Sequence, residues 1–472
     1  MGSPSVLEVS TVLREHAKAR PSSIVINDAG RAVCYQQLEA MSTAVASAVL
    51  DLPQVIAILA PNGVEWVAGW LGLVKAGKTI VTLPPFFSKQ QLAHIVADSA
   101  ASHILCVEEM MQLAAPLDLP VSLIDELIKA GEADTCPEVD TGLAGQSRHI
   151  VYTSGTTGAP KGVRLSARQM DWSAAALKRA VDAGPDDHYL SVLPFALLLE
   201  QICGICVPIL AGARVTIASD VAASLMAGNP SKLVDAMERA LPTISVVVPE
   251  FLAAWVAVLQ ARGDKAPETL RYVAVGGAPV APALAEQAHS LGIPVHEGYG
   301  LSECCSVVAF NRPGDRQAGS VGKPLDGLNV SIVDGEIVVS GPSVMDGYLH
   351  GADTGQSWAT GDLGSIDGQG FLSVSGRKDN LLVLANGRNV SPEWIEAMIV
   401  ADSRIAACTL DGHGETRTRA SITAAASGLQ WFAAASAEEI DHLIAALCKE
   451  APEYARPGSW RIVNQPDLAF TG

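Results

Sequence analysis

The segment Thr153-Ser154-Gly155-Thr156-Thr157-Gly158-Ala159-Pro160-Lys161-Gly162 gathers three glycines, four hydroxyls and a lysine within ten residues. It follows His149-Ile150-Val151-Tyr152, a β-branched and aromatic run that reads as a strand. Glycines let backbone N–H groups approach a ligand closely, and successive N–H groups in a turn form an anion-binding concavity. Hydroxyls add donors for phosphate oxygens, and Lys161 adds a compact positive charge able to follow a polyphosphate. The chemistry indicated is a nucleoside triphosphate. A Walker A loop is excluded, because Pro160 stands where its second glycine must fall and Gly162, not Ser or Thr, follows the lysine. A flexible surface loop is the bland alternative, since Gly, Ser and Thr are ordinary loop residues.

Working outward from this loop, strand-like and helical patterns alternate. Gln54–Ala60, Thr79–Leu83 and His103–Val107 read as strands, with helices over Val64–Lys75, closed by Gly77, and Lys89–Ala97. After a polar loop near Gly131–Ser147 come the loop's own strand and a helix around Met170–Val181. Strands at Ala213–Ile217, Ile244–Pro249 and Tyr272–Gly276 make a second round, the mark of parallel α/β sheets. Beyond Asn311, Gly319–Gly322, Val330–Val333 and Glu336–Ser340 read as short strands of a small β-barrel. A charged break at Gly376-Arg377-Lys378-Asp379 precedes a fresh segment, whose clearest helix starts at the capping box Ser436-Ala-Glu-Glu439.

The expected fold is therefore α/β. Residues 1–377 form a large N-terminal domain of doubly wound mixed sheets plus the small barrel, and 378–472 a small α+β C-terminal domain. Hydrophobic residues at 49% and charged residues at 17% describe a globular chain with a large core. A net charge of −18 argues against a nucleic-acid binder or an anionic-membrane binder, though not against ATP. The N-terminal stretch carries Glu8, Arg14 and Glu15 without a continuous apolar core, so no signal peptide is expected. The most apolar window, Val192 to Leu210, is interrupted by Pro194, Glu200, Gln201 and Pro208, which favours a buried helix over a membrane span. Nine scattered cysteines suggest reduced thiols in a cytoplasmic protein, and Cys203-Gly-Ile-Cys206 reads as structural.

Tyr299-Gly300-Leu301-Ser302-Glu303 follows an apolar run, and beside a triphosphate loop Glu303 becomes a plausible Mg²⁺ ligand. Gly276-Gly277-Ala278-Pro279, Thr360-Gly361-Asp362-Leu363-Gly364 and Gly376-Arg377-Lys378-Asp379 complete a series that resembles, in order, the motifs of the adenylate-forming (AMP-binding) superfamily. That superfamily includes acyl-CoA synthetases, aryl-acid ligases, luciferases and peptide-synthetase adenylation domains. The likeness covers roughly Tyr35 to Trp460.

The resemblance implies that Thr153, Ser154, Gly155, Thr156, Thr157 and Gly158 hold phosphates, with Lys161 catalytic. Tyr299 would stack on adenine, Ser302 contact the α-phosphate, and Glu303 hold the metal. Gly277, Ala278, Pro279 and Gly300 would line the nucleotide site, Asp362 would bind ribose, Arg377 would contact the nucleotide, and Asp379 would be the hinge. Gly387–Glu396 would be the segment that swings into the site for thiol transfer. Candidate acyl-pocket residues are Phe195, Phe251, Gly277, Gly300 and Cys304.

Two departures stand out. Leu197 occupies a position where the family often has histidine, and no aspartate follows Phe195, which disfavours amino-acid substrates. The wording around Glu297–Glu303 and Pro194–Glu200 looks most like the fatty-acyl side of the superfamily. The sequence also ends at Phe470-Thr471-Gly472, before the family's final lysine, whether by nature or because that part is missing. The implied activity is ATP- and Mg²⁺-dependent conversion of a fatty or aryl acid into an acyl-adenylate. The acyl group then passes to the thiol of CoA, or to the phosphopantetheine of an acyl or peptidyl carrier protein. The alternatives are a binder of nucleotide or acyl-adenylate with little or no catalysis, and an adenylating enzyme whose product is not a thioester. No nucleic-acid partner and no membrane span are expected.

Overall fold

The structure is a computed structural model that describes residues 9–133, 141–153, 160–226, 231–425, 427–449 and 451–463. Two large sheets face a shared core. The first has seven strands, in the order Gly347–Tyr348, Lys161–Ser166, Arg148–Thr153, Thr79–Thr82, Val55–Leu59, His103–Cys106 and Val121–Leu123. Its last five strands run parallel, while Lys161–Ser166 turns back antiparallel on Arg148–Thr153. Parallel strands need cover on both faces, and Ile56–Leu59 is accordingly apolar and buried throughout. The helix Val64–Lys75 is hydrophobic all round, as a fully buried helix must be, and carries Trp66 and Trp70 inward. It lies so close to the helix Tyr35–Val49 that a Cβ on Gly72 would stand 2.6 Å from Val45. Gly77 ends the turn after it in the left-handed region, φ 66°.

The second sheet has nine strands. Its order is Lys323–Pro324, Ser306–Phe310, Val295–Leu301, Tyr272–Val275, Ile244–Val247, His188–Ser191, Arg214–Ile217, Ile24–Asp28 and Arg31–Cys34. The strands after Asn311 build a four-stranded antiparallel sheet of Asn329–Val333, Glu336–Ser340, Ser357–Ile366 and Leu372–Arg377. Its first hairpin closes through Asp334-Gly335, both at positive φ (51° and 83°), the geometry a two-residue turn demands. Its inner face packs on Val308 and Ala309 of the nine-stranded sheet and on Cys304 just before that strand. A separate hydrophobic cluster runs from Leu384 to Ala455 over the strands Ile405–Asp411, Arg419–Ala424 and Ser459–Val463. There the capping box appears as read, with Ser436 N donating to Glu439 Oε2 at 2.8 Å and Glu439 N to Ser436 Oγ at 3.3 Å.

Two expectations are corrected. Gly319–Gly322 is a turn and not a strand, because both glycines hold positive φ and a Cβ on Gly322 would overlap the Phe310 backbone. The apolar window becomes helical only at Leu198 and passes through a π stretch, Gln201–Cys206, before Val207–Ala211. Pro194 disfavours helix before it, and Pro208 lacks the N–H that an α-turn would donate to Gly204.

Candidate active site

The glycine-rich loop is a hairpin connection. Thr153 and Lys161 face each other as the last paired residues of two antiparallel strands. Ser154, Gly155, Thr156, Thr157 and Gly158, expected to hold phosphates, lie outside the described residues. Lys161 is exposed, with Nζ 5.8 Å from the ring centre of Tyr348. Tyr348 arrives there because its short strand pairs with Val163 and Arg164, and Leu349 N donates to Gly162 O at 2.8 Å.

Opposite, the strand Val295–Leu301 delivers Tyr299 and Gly300, and a single 3₁₀ turn, Ser302–Cys304, carries Glu303. The chain then reverses through Cys305 and Ser306 at φ 53° and 82°, left-handed values that cost a non-glycine residue about 1–3 kcal/mol. The reversal brings Val307 opposite Gly300, where a Cβ would overlap the Ser306 carbonyl; only glycine fits. The Tyr348 hydroxyl donates to Glu303 Oε1 at 2.7 Å, and Met345 N donates to the Glu303 carbonyl at 2.8 Å.

Asp362 and Arg377 sit directly across a strand pair of the four-stranded sheet. Tyr299 donates to Asp362 Oδ2 at 2.6 Å, and one Arg377 guanidinium nitrogen lies 3.4 Å from Asp362 Oδ1. Burial holds the Asp362 carboxyl above its ordinary value, with Glu303 and Glu393 adding to the rise, while the Tyr299 bond and the Arg377 charge oppose it. Burial, reinforced by Asp362, likewise raises Tyr299, which stays a hydrogen-bond donor. Arg377 Nε is buried and has no hydrogen-bond partner among the described residues. A buried unpaired N–H costs roughly 1–3 kcal/mol, so this atom suits a ligand that supplies an acceptor. The set Lys161, Glu303, Tyr299, Asp362 and Arg377 thus combines cations, a lone carboxylate and a hydroxyl-binding carboxylate, a combination suited to a metal-bound nucleotide.

The loop after Tyr272–Val275 leaves Gly277, Ala278 and Pro279 exposed, with Gly277 at φ 86°. Gly300 is also exposed, and Phe251 sits almost buried at the start of the helix Pro249–Arg262. Phe195 and Cys304, expected in the pocket wall, are both buried. Phe195 has no exposed surface and packs on Trp66, 5.3 Å between ring centres, and its N–H donates to Asn62 Oδ1 at 2.7 Å. Cys304 turns inward among Val308, Ile337, Val339 and Leu372. Leu197, two residues beyond Phe195, is the side chain of that loop left open, at 38% exposure.

Residues 13–349, more than half of the chain, match the family of AMP-binding enzymes. The chain belongs to that family. It is 30% identical over 388 residues to the 2-succinylbenzoate–CoA ligase of Bacillus velezensis, a match covering 75% of this chain and 74% of that one. Its fold is similar to the anthranilate CoA ligase AuaEII in complex with anthranoyl-AMP, with a TM-score of 0.86 at 20% identity over 100% of this chain and 96% of the other. It is also similar to the o-succinylbenzoate CoA synthetase of Bacillus subtilis in complex with the acyl-adenylate intermediate. That likeness has a TM-score of 0.81 at 24% identity, over 96% of this chain and 94% of the other. The same synthetase in complex with ATP and a magnesium ion gives 0.80 at 24%, over 96% of each chain.

Within this AMP-binding enzyme, the settings of two groups escaped sequence reasoning. Tyr348 is one; its strand has two residues, too short for any periodicity to mark. Glu200 is the other, having read as a charge interrupting an apolar window and as the end of the Pro194–Glu200 frame, with no role of its own. It is fully buried, accepting from Tyr189 Oη at 2.9 Å and Ser191 Oγ at 2.5 Å, and burial pushes its carboxyl up to about 8 against those two bonds. Asp379, the expected hinge, is exposed in the 3₁₀ turn Lys378–Asn380. The flanking residues are tied down, Lys378 to Glu336 at 3.1 Å and Asn380 to Glu393 at 2.6 Å. Among the described residues no group of three or more acidic, histidine or cysteine side chains could hold a metal by itself. No described helix is long and apolar enough to cross a membrane.

Proposed function

We propose that this AMP-binding enzyme is an acid–thiol ligase that couples an aryl carboxylic acid to CoA through an acyl-adenylate. The observation that carries the reading is the network joining Tyr299, Asp362 and Arg377, with Glu303 held beside it by Tyr348. The relatives reported above are CoA ligases or synthetases of aryl acids, which supports both the acid class and the acceptor.

In the first half-reaction an oxygen of the acid attacks the α-phosphorus of ATP, and the bond to pyrophosphate breaks. Asp362 would accept from the ribose hydroxyls while Tyr299 fixes its orientation. Arg377 and Lys161 would face the phosphates as charge donors, where preorganised positive groups lower the barrier most. Glu303 would hold Mg²⁺, which neutralises charge developing on the phosphates. In the second half-reaction the CoA sulfur attacks the acyl carbon, AMP leaves, and the thiol proton passes to solvent. The exposed Asp379 turn lies between two separately packed clusters and would be the pivot between these steps, with residues 1–377 and 378–472 as the moving bodies.

The test is pyrophosphate release with ATP, Mg²⁺ and a panel of aryl, fatty and amino acids, trapping activated acyl groups with hydroxylamine, then adding CoA. Aryl hydroxamates, and aryl-CoA once CoA is present, are the expected products. Release confined to fatty acids would overturn the acid class. Hydroxamate without any thioester would overturn the acceptor.

A further inference from the structure

The phosphate-side lysine lies on a strand of the seven-stranded sheet and the metal-side carboxylate on a 3₁₀ turn between the nine-stranded sheet's strands Val295–Leu301 and Ser306–Phe310, and one side chain touches both. Tyr348 donates its hydroxyl to Glu303 Oε1 at 2.7 Å, and its ring lies under Lys161 Nζ at 5.8 Å. Among the described residues it is the hydrogen-bond partner of the Glu303 carboxylate. Trp358 packs edge-on against the same ring, 5.7 Å between centres, which limits its rotation. The backbone repeats the connection. Tyr348 is in register with Val163, two residues past Lys161, and three residues before Tyr348 the Met345 N–H holds the Glu303 carbonyl.

We propose that Tyr348 is a positioning residue that orients the Glu303 carboxylate for its divalent cation, tying that cation's ligand to the lysine end of the phosphate loop. This rests on the metal role given to Glu303 above. A carboxylate on a single 3₁₀ turn has free rotation about its own side-chain bonds. The phenol removes that freedom by occupying one oxygen and leaving the other for the metal, the arrangement by which partners behind a ligand raise metal affinity. The ring's face supplies a weaker attraction to the Lys161 ammonium.

Tyr348→Phe keeps the ring, and with it the Trp358 and Lys161 contacts, and deletes only the hydroxyl. ATP binding is measured by calorimetry twice, once in excess chelator and once across a Mg²⁺ titration, beside the wild type and Glu303→Ala. The expected result is about a 10- to 100-fold rise in the Mg²⁺ needed for half-maximal enhancement of ATP binding, with metal-free ATP affinity and melting temperature unchanged. An unchanged Mg²⁺ requirement, or an equal loss of ATP affinity with and without metal, would overturn the positioning role. If wild type and Glu303→Ala share one Mg²⁺ dependence, the metal role of Glu303 fails instead, and the inference fails with it.

Discussion

Glu303 and Glu200 are both carboxylates, and their surroundings give them opposite tasks. Glu303 lies half-buried beside Lys161's partner Tyr348 and has one oxygen engaged. Replacing it with Ala should lower pyrophosphate release by at least about a hundredfold, the scale for losing a preorganised electrostatic group, while the melting temperature stays within a degree or two. Retained activity would remove it from the chemistry. Glu200 is sealed beneath the surface and protonated in the folded chain up to about pH 8, against an ordinary value of 4.5. Between those values the folded state binds a proton the unfolded chain has released, so raising the pH across this window destabilises the fold. The slope reaches about 1.4 kcal/mol per pH unit. Glu200→Gln cannot titrate, and its melting temperature should fall less between pH 5 and 8 than that of the wild type. Parallel curves would show that the carboxyl is ionised in the folded chain throughout.

Short connections between elements place the functional groups. The turn from Glu303 through Cys305 and Ser306 spends two left-handed residues so that Gly300 can lie against the Ser306 carbonyl. Gly300→Ala should therefore cost more than a surface change, several kcal/mol by overlap of a Cβ with backbone, with Tyr299 and Glu303 displaced and ATP-dependent stabilisation lost. A normal melting temperature with intact ATP binding would contradict that account. The 3₁₀ turn at Asp379 calls for a different measurement. Asp379→Pro narrows φ at the pivot, and it should spare acid-dependent ATP–pyrophosphate exchange while depressing thioester formation. Equal loss of both half-reactions would argue against the pivot.

The alternating apolar runs were legible as strands and helices because burial on both faces leaves a continuous hydrophobic signature, as at Ile56–Leu59 and Val64–Lys75. Lys161–Ser166 was not legible, since polar side chains at Lys161, Arg164 and Ser166 interrupt it beside a glycine-rich loop. The turn at Gly319–Gly322 was misread because two glycines around a β-branched residue carry no mark of their φ values in the sequence.

Across the whole molecule, strands from two sheets bring Lys161 and the turn at Glu303 to either side of Tyr348. The small antiparallel sheet supplies Asp362 and Arg377 from its last two strands. Motif order along the chain made this assembly readable, because each motif names a chemistry even when its partners are two hundred residues away. What the motifs could not carry was depth. Phe195 and Cys304 occupy motif positions yet point into packed interior, and only the fold decides which side of a wall a side chain faces. Strand order was equally hidden, since Ile24–Asp28 pairs with Arg214–Ile217 across nearly two hundred residues of intervening sequence.

The central claim is that this site forms an acyl-adenylate and hands it to CoA. It is tested most directly by incubating the protein with ATP, Mg²⁺, CoA and an aryl acid, and measuring AMP, pyrophosphate and acyl-CoA together by chromatography. The account predicts all three products in equal amounts, each absent when the acid is omitted. ADP in place of AMP, or pyrophosphate and AMP with no acyl-CoA, would contradict it.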